Sequence, residues 1–236
     1  MSKYIQSMSK FVRSVRMPSA FKLSQPSKIS KKSKSAFSIP AGPKFACPGA
    51  TKACDGCYAM KGRHHFGNVQ SAFARNWKLL RKFEKKNDAV GAAKLIAESI
   101  SKTHSIFRIH ESGDFHSQWA ADMWAEVVKK RQDIQFWTYT RSFELNFNSL
   151  TRQKNFALWA STDDYNLAEA RKFVRKHRKS GVKHAYGPWD LNKKLPKKSF
   201  VCPVTNGKMN VEGACEKCML CVANKRTKNN VVFIAH

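Results

Sequence analysis

The middle of the chain alternates short apolar segments with amphipathic ones, and this pattern constrains the fold more than any other feature. Segments typical of strands lie at residues 105–110, 134–140, 156–160 and 182–186, and segments typical of helices at residues 69–85, 88–101, 117–130 and 167–177. Strands that alternate with helices of this length favour a parallel sheet with right-handed crossovers. We therefore predict an α/β fold with a mostly parallel sheet, which is either open or a partial or distorted βα barrel.

Composition divides the chain into three parts. Its 236 residues, 42% of them hydrophobic, are enough to bury a substantial core. Residues 1–34 are rich in Ser, Lys and Arg and contain no Asp or Glu, so we expect a basic, flexible arm there. Residues 35–191 would form the α/β core, and residues 192–236 a cysteine-rich, metal-binding tail packed on it.

The formal net charge of +28 indicates a polyanionic partner. Lys and Arg side chains that bind phosphates release condensed counterions, so nucleic acid, either DNA or RNA, is the first candidate. A solvated basic surface and a contact with an anionic membrane are the alternatives. Besides the arm, we expect a basic ridge on or beside the first helices to follow a phosphate backbone. Its predicted members are Arg63, Arg75, Lys78, Arg81 and Lys82.

The sequence predicts a protein of a reducing compartment without a membrane segment. Its apolar runs are too short to span a bilayer, and charged residues interrupt any secretory signal near the N-terminus. The CxxC spacing of the cysteines suits chelation better than a disulfide framework. We expect a cytoplasmic location, although the basic, serine-rich start also resembles a mitochondrial transit peptide.

Seven cysteines fall into two groups on either side of the predicted core. They are Cys47, Cys54 and Cys57 on a loop that contains Pro and Gly, and Cys202, Cys215, Cys218 and Cys221 in the tail. Three thiolates leave one coordination position open, as a catalytic metal requires, whereas four thiolates close a site.

Iron–sulfur and zinc are the two metals that such cysteines suit. The tight C-x2-C-x2-C run in the tail resembles cluster-binding sequences of ferredoxins, which favours one or two [4Fe-4S] clusters. The alternative is a pair of structural zinc ions, with His64, His65 or His110 completing the first site.

Polar residues follow three of the predicted strands, at residues 110–114, 139–142 and 161–164. The carboxyl ends of parallel strands meet at one edge of a sheet, so we expect one polar pocket there. Asp114 and Arg141 are the catalytic candidates, because a carboxylate can accept from an ammonium or a ribose and a guanidinium can hold a carboxylate or phosphate. Asp114 and Asp163 could instead cap helices. The predicted cofactor-binding residues are Ser112, Gly113, Asp114, Tyr139, Arg141 and Ser161.

Several motifs resemble those of a group of phage-encoded proteins, the gene product 88-like family. The resemblance lies in residues 39–42, 47–59, 112–115 and 139–142, and in the tail from Cys202 to His236. It implies a protein of a bacterial or phage-infected cell.

The layout also resembles, more distantly, that of radical S-adenosylmethionine enzymes, which place a three-cysteine loop after the first strand of a partial βα barrel. Cys47, Cys54 and Cys57 would match that loop, with C-x6-C-x2-C in place of the usual C-x3-C-x2-C spacing. The Ser112-Gly113-Asp114 turn would receive the amino group of S-adenosylmethionine. The tail would then resemble an auxiliary cluster domain.

These observations lead to three hypotheses. The first is an iron–sulfur enzyme of the radical S-adenosylmethionine type that acts on nucleic acid or on a nucleic-acid-bound substrate. The second is a non-catalytic iron–sulfur or zinc protein that binds nucleic acid. The third is a nuclease that holds a divalent metal with His110, Glu111 and Asp114.

Overall fold

The computed structural model describes residues 3–31, 33–222 and 227–234, and seven strands in them form one sheet in which every pair is parallel. The strands are β1 Ala36–Ser38, β2 Ile106–Ser112, β3 Gln135–Thr140, β4 Phe156–Thr162, β5 Lys183–Trp189, β6 Ser199–Val201 and β7 Asn230–Ile234. Their order in the sheet is β1-β2-β3-β4-β5-β7-β6. The predicted α/β fold with a parallel sheet is confirmed. Its closure into a barrel is not confirmed, because β1 and β6 form two edges of the described sheet.

Seven α-helices accompany the strands in the described residues. They are α1 Lys3–Ser14, α2 Gly67–Lys85, α3 Ala89–Ser99, α4 Gln118–Lys130, α5 Asn148–Thr151, α6 Leu167–Lys176 and α7 Ala214–Cys218. Side chains fix two of the helix starts: Asp88 accepts from the Gly91 N–H at the start of α3, and Ser117 accepts from the Ala120 N–H at the start of α4.

One face of the sheet packs against helices α2 to α6. Because side chains alternate along a strand, Phe107, Phe136 and Leu158 point to this face. They pack with helix residues such as Trp124, which is fully buried. Strands β1 to β5 follow chain order, and right-handed crossovers between such neighbours place all the connecting helices on the same side.

The cysteine-rich tail covers the opposite face. Trp137 and Trp159 point to this side and are buried beneath Cys221 and Val222 of the tail. The Trp159 Nε1–H donates to the Cys221 carbonyl oxygen at 2.8 Å. The tail is therefore fixed to the middle of the sheet by both apolar packing and a hydrogen bond.

The structure differs from the expected flexible arm at the N-terminus. Tyr4, Ile5 and Met8 are buried and pack against Phe73 and Ala74 of α2. Apolar residues recur here at helical spacing, which gives α1 one face that it can bury. None of the helices in the described residues is long and apolar enough to cross a membrane.

Candidate metal centre

The loop with the first three cysteines, residues 47–57, lies over the carboxyl ends of the parallel strands. Gly49 is pressed against the residue that follows β3, since a Cβ atom on Gly49 would lie 2.1 Å from the Arg141 carbonyl oxygen. Thr51 Oγ1 donates to Asp163 Oδ2, just after β4, at 2.8 Å. We call this segment the cluster loop. In parallel α/β proteins, this edge of the sheet is where ligands bind.

The turn after β2 is pressed against the start of the cluster loop. Gly113 has a φ of +87°, and a Cβ atom there would lie 2.5 Å from Ile39 Cγ1, so only glycine fits. The Asp114 N–H donates to the Ala46 carbonyl oxygen at 3.0 Å, and Ser112 Oγ donates to the Ile39 carbonyl oxygen at 3.0 Å. The structure thus brings the Ser112-Gly113-Asp114 turn next to Cys47.

Both carboxylate oxygens of Asp114 accept hydrogen bonds from within the fold. Oδ1 accepts from Thr140 Oγ1 at 2.8 Å and from the Phe115 N–H at 2.7 Å, and Oδ2 accepts from the Arg141 N–H at 2.8 Å. Burial raises the pKa of this carboxyl to about 6, although the three donors oppose the rise. Asp114 therefore ties the turn after β2 to the end of β3, and it is Ser117 that caps α4.

Arg141 lies between the cluster loop and the end of β4. Its Nε donates to Asp163 Oδ2 at 3.1 Å, and Nη2 donates to the Gly187 carbonyl oxygen at 3.4 Å. Burial raises the pKa of the nearby Cys57 thiol and Cys54 adds to the rise, whereas the positive charge of Arg141 opposes it. Arg141 thus favours the thiolate form that metal binding requires.

The three thiols of the cluster loop are close enough to affect one another electrostatically. Burial raises the pKa of Cys47, and the charges of Asp114, Cys57 and Cys54 raise it further. Three soft thiol donors beside a cation fit a thiolate-bound metal centre. As the side chains are placed, however, the described residues contain no group of three or more His, Cys, Asp or Glu that could hold a metal ion.

The four tail thiols form a second group of neighbouring side chains on the other face of the sheet. Burial raises the pKa of Cys221 to about 12; a hydrogen bond with the Tyr139 hydroxyl opposes the rise, and Cys202, Cys215 and Cys218 add to it. Tyr139, which we expected near the cofactor, therefore lies against the tail. Ser161 occupies the end of β4, where its carbonyl oxygen accepts from Asn166 Nδ2 at 3.1 Å.

Arg108, in the middle of β2, joins the two groups of cysteines and was not among the predicted site residues. Its Nη2 donates to the hydroxyl of Tyr58, which follows Cys57, at 3.1 Å. Its guanidinium lies 5.0 Å from the centre of the Tyr139 ring, and its charge opposes the rise that burial causes in the pKa of Cys215. An arginine inside an apolar strand is the sequence signal that could have identified it.

The residues of the nuclease hypothesis do not meet. The His110 ring packs on Phe115 and Trp124, with ring centres 4.8 and 5.7 Å away. Glu111 instead accepts from Ser38 Oγ at 3.1 Å and lies 3.3 Å from His64 Nε2. Since the Asp114 carboxylate accepts from the Thr140 hydroxyl and from two backbone N–H groups, the three side chains have separate surroundings.

The histidines of the zinc alternative also have other partners. His64 pairs with Glu111. Burial acts to raise the pKa of the Glu111 carboxyl, but His64 and Arg108 hold that pKa below its ordinary value. His65 Nε2 lies 2.8 Å from the Met60 carbonyl oxygen. His110 belongs to the aromatic core described above.

The predicted basic ridge lies on α2 and just before it, and part of it is engaged within the fold. Arg63 lies 3.8 Å from Glu111, Lys78 Nζ donates to the Val15 carbonyl oxygen at 2.7 Å, and Arg81 pairs with Glu84. Two further members of the ridge are exposed, Arg75 and Lys82.

Comparison with known proteins agrees with the resemblance noted in the sequence. Residues 14–231 match the family model described as Gene product 88. The Gene 88 protein of Mycobacterium phage L5 is 32% identical over 209 residues, which cover 83% of this chain and 84% of the relative. The Gene 88 protein of Mycobacterium phage D29 is 31% identical over 205 residues, with 80% and 83% covered.

No solved structure matches the chain. The family match includes both cysteine groups and every strand up to the start of β7. The chain therefore belongs to the gene product 88 family.

Proposed function

We propose that this protein is an iron–sulfur protein of the radical S-adenosylmethionine type that acts on nucleic acid or on a nucleic-acid-bound substrate. The observation that carries the proposal is the position of the cluster loop, which holds three neighbouring thiols over the carboxyl ends of parallel strands. Enzymes with parallel α/β folds bind their ligands at this edge.

The donor set supports a cluster with one open position. Cys47, Cys54 and Cys57 would supply three thiolates, and thiolates select iron–sulfur clusters or zinc over harder cations. Arg141 would balance part of the negative charge of the thiolates. In the enzymes that the loop resembles, a [4Fe-4S] cluster supplies the electron that cleaves S-adenosylmethionine.

The residues around the loop would orient the cofactor. Arg141 uses its Nε and Nη2 within the fold, so its remaining N–H groups could hold a carboxylate or a phosphate. The Gly113 turn brings backbone close to the cluster loop without a side chain between them. Because both oxygens of Asp114 are occupied, we assign this residue to holding the turn.

The tail would hold a second, supporting centre. Cys202, Cys215, Cys218 and Cys221 supply four thiols, which close a site. Hydrogen bonds from Trp159 and Tyr139 to Cys221 would keep that centre on the sheet. Free thiols persist in a reducing compartment. This supports a location of the protein in the cytoplasm of a bacterial or phage-infected cell.

Anaerobic purification followed by iron and acid-labile sulfide analysis tests the proposal. We expect about four iron and four sulfide per centre. Cys57→Ser is expected to remove the first centre and Cys218→Ser the second, so each variant controls for the other. Zinc at both centres, with no iron after anaerobic reconstitution, contradicts the proposal.

Cofactor cleavage tests the enzymatic part. With a strong reductant as the electron donor, the protein should cleave S-adenosylmethionine to methionine and a 5′-deoxyadenosyl group. That group takes a hydrogen atom from the substrate or the solvent and is measured as 5′-deoxyadenosine, and Cys57→Ser should lose this activity. Iron at both centres without any cleavage would contradict the enzymatic part of the proposal and would indicate a non-catalytic iron–sulfur protein.

A further inference from the structure

We propose that helices α1 and α2 together form one nucleic-acid-binding face that leads to the cluster loop. The choice of nucleic acid as the partner rests on the proposed function. The place where it binds is argued from the surface itself. We call the surface the α1/α2 face. Its cationic residues are Lys3, Lys10, Arg13, Arg75, Lys78 and Lys82.

The first half of this face is a cationic stripe along α1. Lys3, Lys10 and Arg13 are exposed, and their spacing of seven and three residues places them on one side of a helix. The opposite side carries the buried Tyr4 and Met8. No acidic residue precedes Asp55 in the chain, so α1 itself carries no carboxylate within the stripe.

The second half is a similar stripe along α2. Arg75, Lys78 and Lys82 are three and four residues apart, which again places them on one side. The only acid in α2 is Glu84. Its carboxylate accepts from Ser117 Oγ at 2.6 Å, lies 3.1 Å from His116 Nε2 and pairs with Arg81, so its charge is largely balanced within the fold.

Contacts between the two helices fix the stripes relative to each other. Ser7 Oγ donates to Gln70 Oε1 at 2.6 Å, and Lys78 Nζ donates to the Val15 carbonyl oxygen at 2.7 Å. Helix α1 of the predicted basic arm and the part of the predicted basic ridge on α2 are therefore held together in the fold. An ordered surface binds its partner without the entropy cost of folding an arm.

The start of α1 adjoins the cluster loop. The rings of Tyr4 and His65 are 5.6 Å apart, and the Ala41 N–H donates to the Tyr4 hydroxyl at 3.4 Å. Burial raises the pKa of Tyr4, and the nearby Cys47 and Cys57 thiols raise it further. The start of α1 therefore packs against the residues that flank the cluster loop.

The packing of α1 favours nucleic acid over a membrane surface. A helix that binds a bilayer places its apolar side among the lipids. The apolar side of α1 is buried against α2, with Ile5 and Met8 packed on Phe73. What remains outside is a row of cations, which suits phosphates and the counterion release that their binding gives.

Charge removal on α1, with a matched removal on α6, tests the proposal in the full chain. The test variant is Lys3→Gln, Lys10→Gln and Arg13→Gln. The control is Arg171→Gln, Lys172→Gln and Lys176→Gln, which removes three exposed cations from another helix. Glutamine keeps helix propensity close to that of Lys and Arg. Circular dichroism and iron content should be the same in both variants and the parent protein.

Binding is measured with labelled single-stranded and duplex DNA and RNA over a range of salt concentrations. The α1 variant should bind about tenfold more weakly or worse, and the slope of log affinity against log salt should fall by about two. The control should keep affinity within about threefold. Equal losses in both variants, binding of anionic vesicles in place of nucleic acid, or no binding by the parent protein would each overturn the proposal. Unchanged nucleic-acid binding by the iron-free protein would show that the α1/α2 face binds independently of the metal centres, so the two proposals can fail separately.

Discussion

Thr51 Oγ1 donates a hydrogen bond to Asp163 Oδ2 at 2.8 Å, and this bond fastens the cluster loop to the end of β4. The same carboxylate accepts from Arg141 Nε at 3.1 Å and from the Tyr165 N–H at 2.9 Å. One buried aspartate therefore holds the loop, the residue after β3 and the turn before α6.

Thr51→Val should loosen the cluster loop selectively. Valine keeps the shape of threonine but cannot donate, so we expect a loss of about 1 kcal/mol in unfolding free energy. Metal should leave the first centre faster when a chelator is added, and the tail centre should be unaffected. Thr205→Val is the matched control, because Thr205 Oγ1 donates to the Cys202 carbonyl oxygen at 3.1 Å in the tail. Equal release rates from the first centre in parent and Thr51→Val would contradict this role.

Arg141→Met should destabilise the fold strongly. The Asp163 side chain is only 3% exposed, and removal of the arginine leaves its charge without an ionic partner. We expect a loss of about 3 kcal/mol in urea unfolding. Lys193→Met provides the comparison, because its partner Asp164 is 72% exposed and surface ion pairs contribute little. Similar losses in the two variants would show that Arg141 has no special structural role.

Gly113→Ala should displace the turn after β2. Its φ of +87° is costly for alanine, and the new Cβ would overlap Ile39. We expect a loss of about 3 kcal/mol from backbone strain and overpacking together. Gly62→Ala separates the two effects, since φ there is +53° and nothing lies within 4 Å of the new Cβ. The prediction fails if thermal or urea unfolding gives the same loss for both.

Acid should destabilise the protein because buried histidines cannot take up protons in the folded state. Burial lowers the pKa of His110 to about 3 and that of His184 to about 4, from 6.5. Their stabilising contribution is complete above pH about 6.5 and is lost as pH falls below it, because only the unfolded chain binds the protons. Each should cost up to about 1.4 kcal/mol per pH unit.

Asp114 acts in the opposite direction. Burial raises its pKa from 3.8 to about 6, so the folded state takes up this proton first and gains stability as pH falls below 6. Between pH 7 and pH 5, the stability lost through the two histidines exceeds the stability gained through Asp114. Unfolding in urea at pH 7 and pH 5 should therefore show a net loss on acidification, and His184→Gln should reduce it. A protein more stable at pH 5 than at pH 7 would contradict the assignment.

The sequence predicted the parallel sheet because its pattern is local. Alternating apolar segments and amphipathic helices specify strands and crossovers. The convergence of the Ser112 turn, Arg141 and Asp163 at one edge followed from parallel topology alone. The cysteines were found through their spacing.

The features that were missed depend on tertiary packing. The composition of residues 1–34 suggested a flexible arm, yet Tyr4, Ile5 and Met8 gain a partner once α2 is in place. Arg108 was overlooked because its role arises only when Tyr58 and the tail meet across β2. Asp114 was expected to contact a ligand or cap a helix. Its oxygens instead accept from Phe115, Thr140 and Arg141, because the exact backbone and hydroxyl positions that decide this are set by tertiary packing.

A crystal structure of anaerobically purified protein, with anomalous scattering recorded at the iron edge, tests the central claim most directly. We expect iron–sulfur density bound by Cys47, Cys54 and Cys57 with one iron free of protein ligands, and a closed centre at Cys202, Cys215, Cys218 and Cys221. A zinc signal at both positions, or thiols without any metal, would contradict the claim.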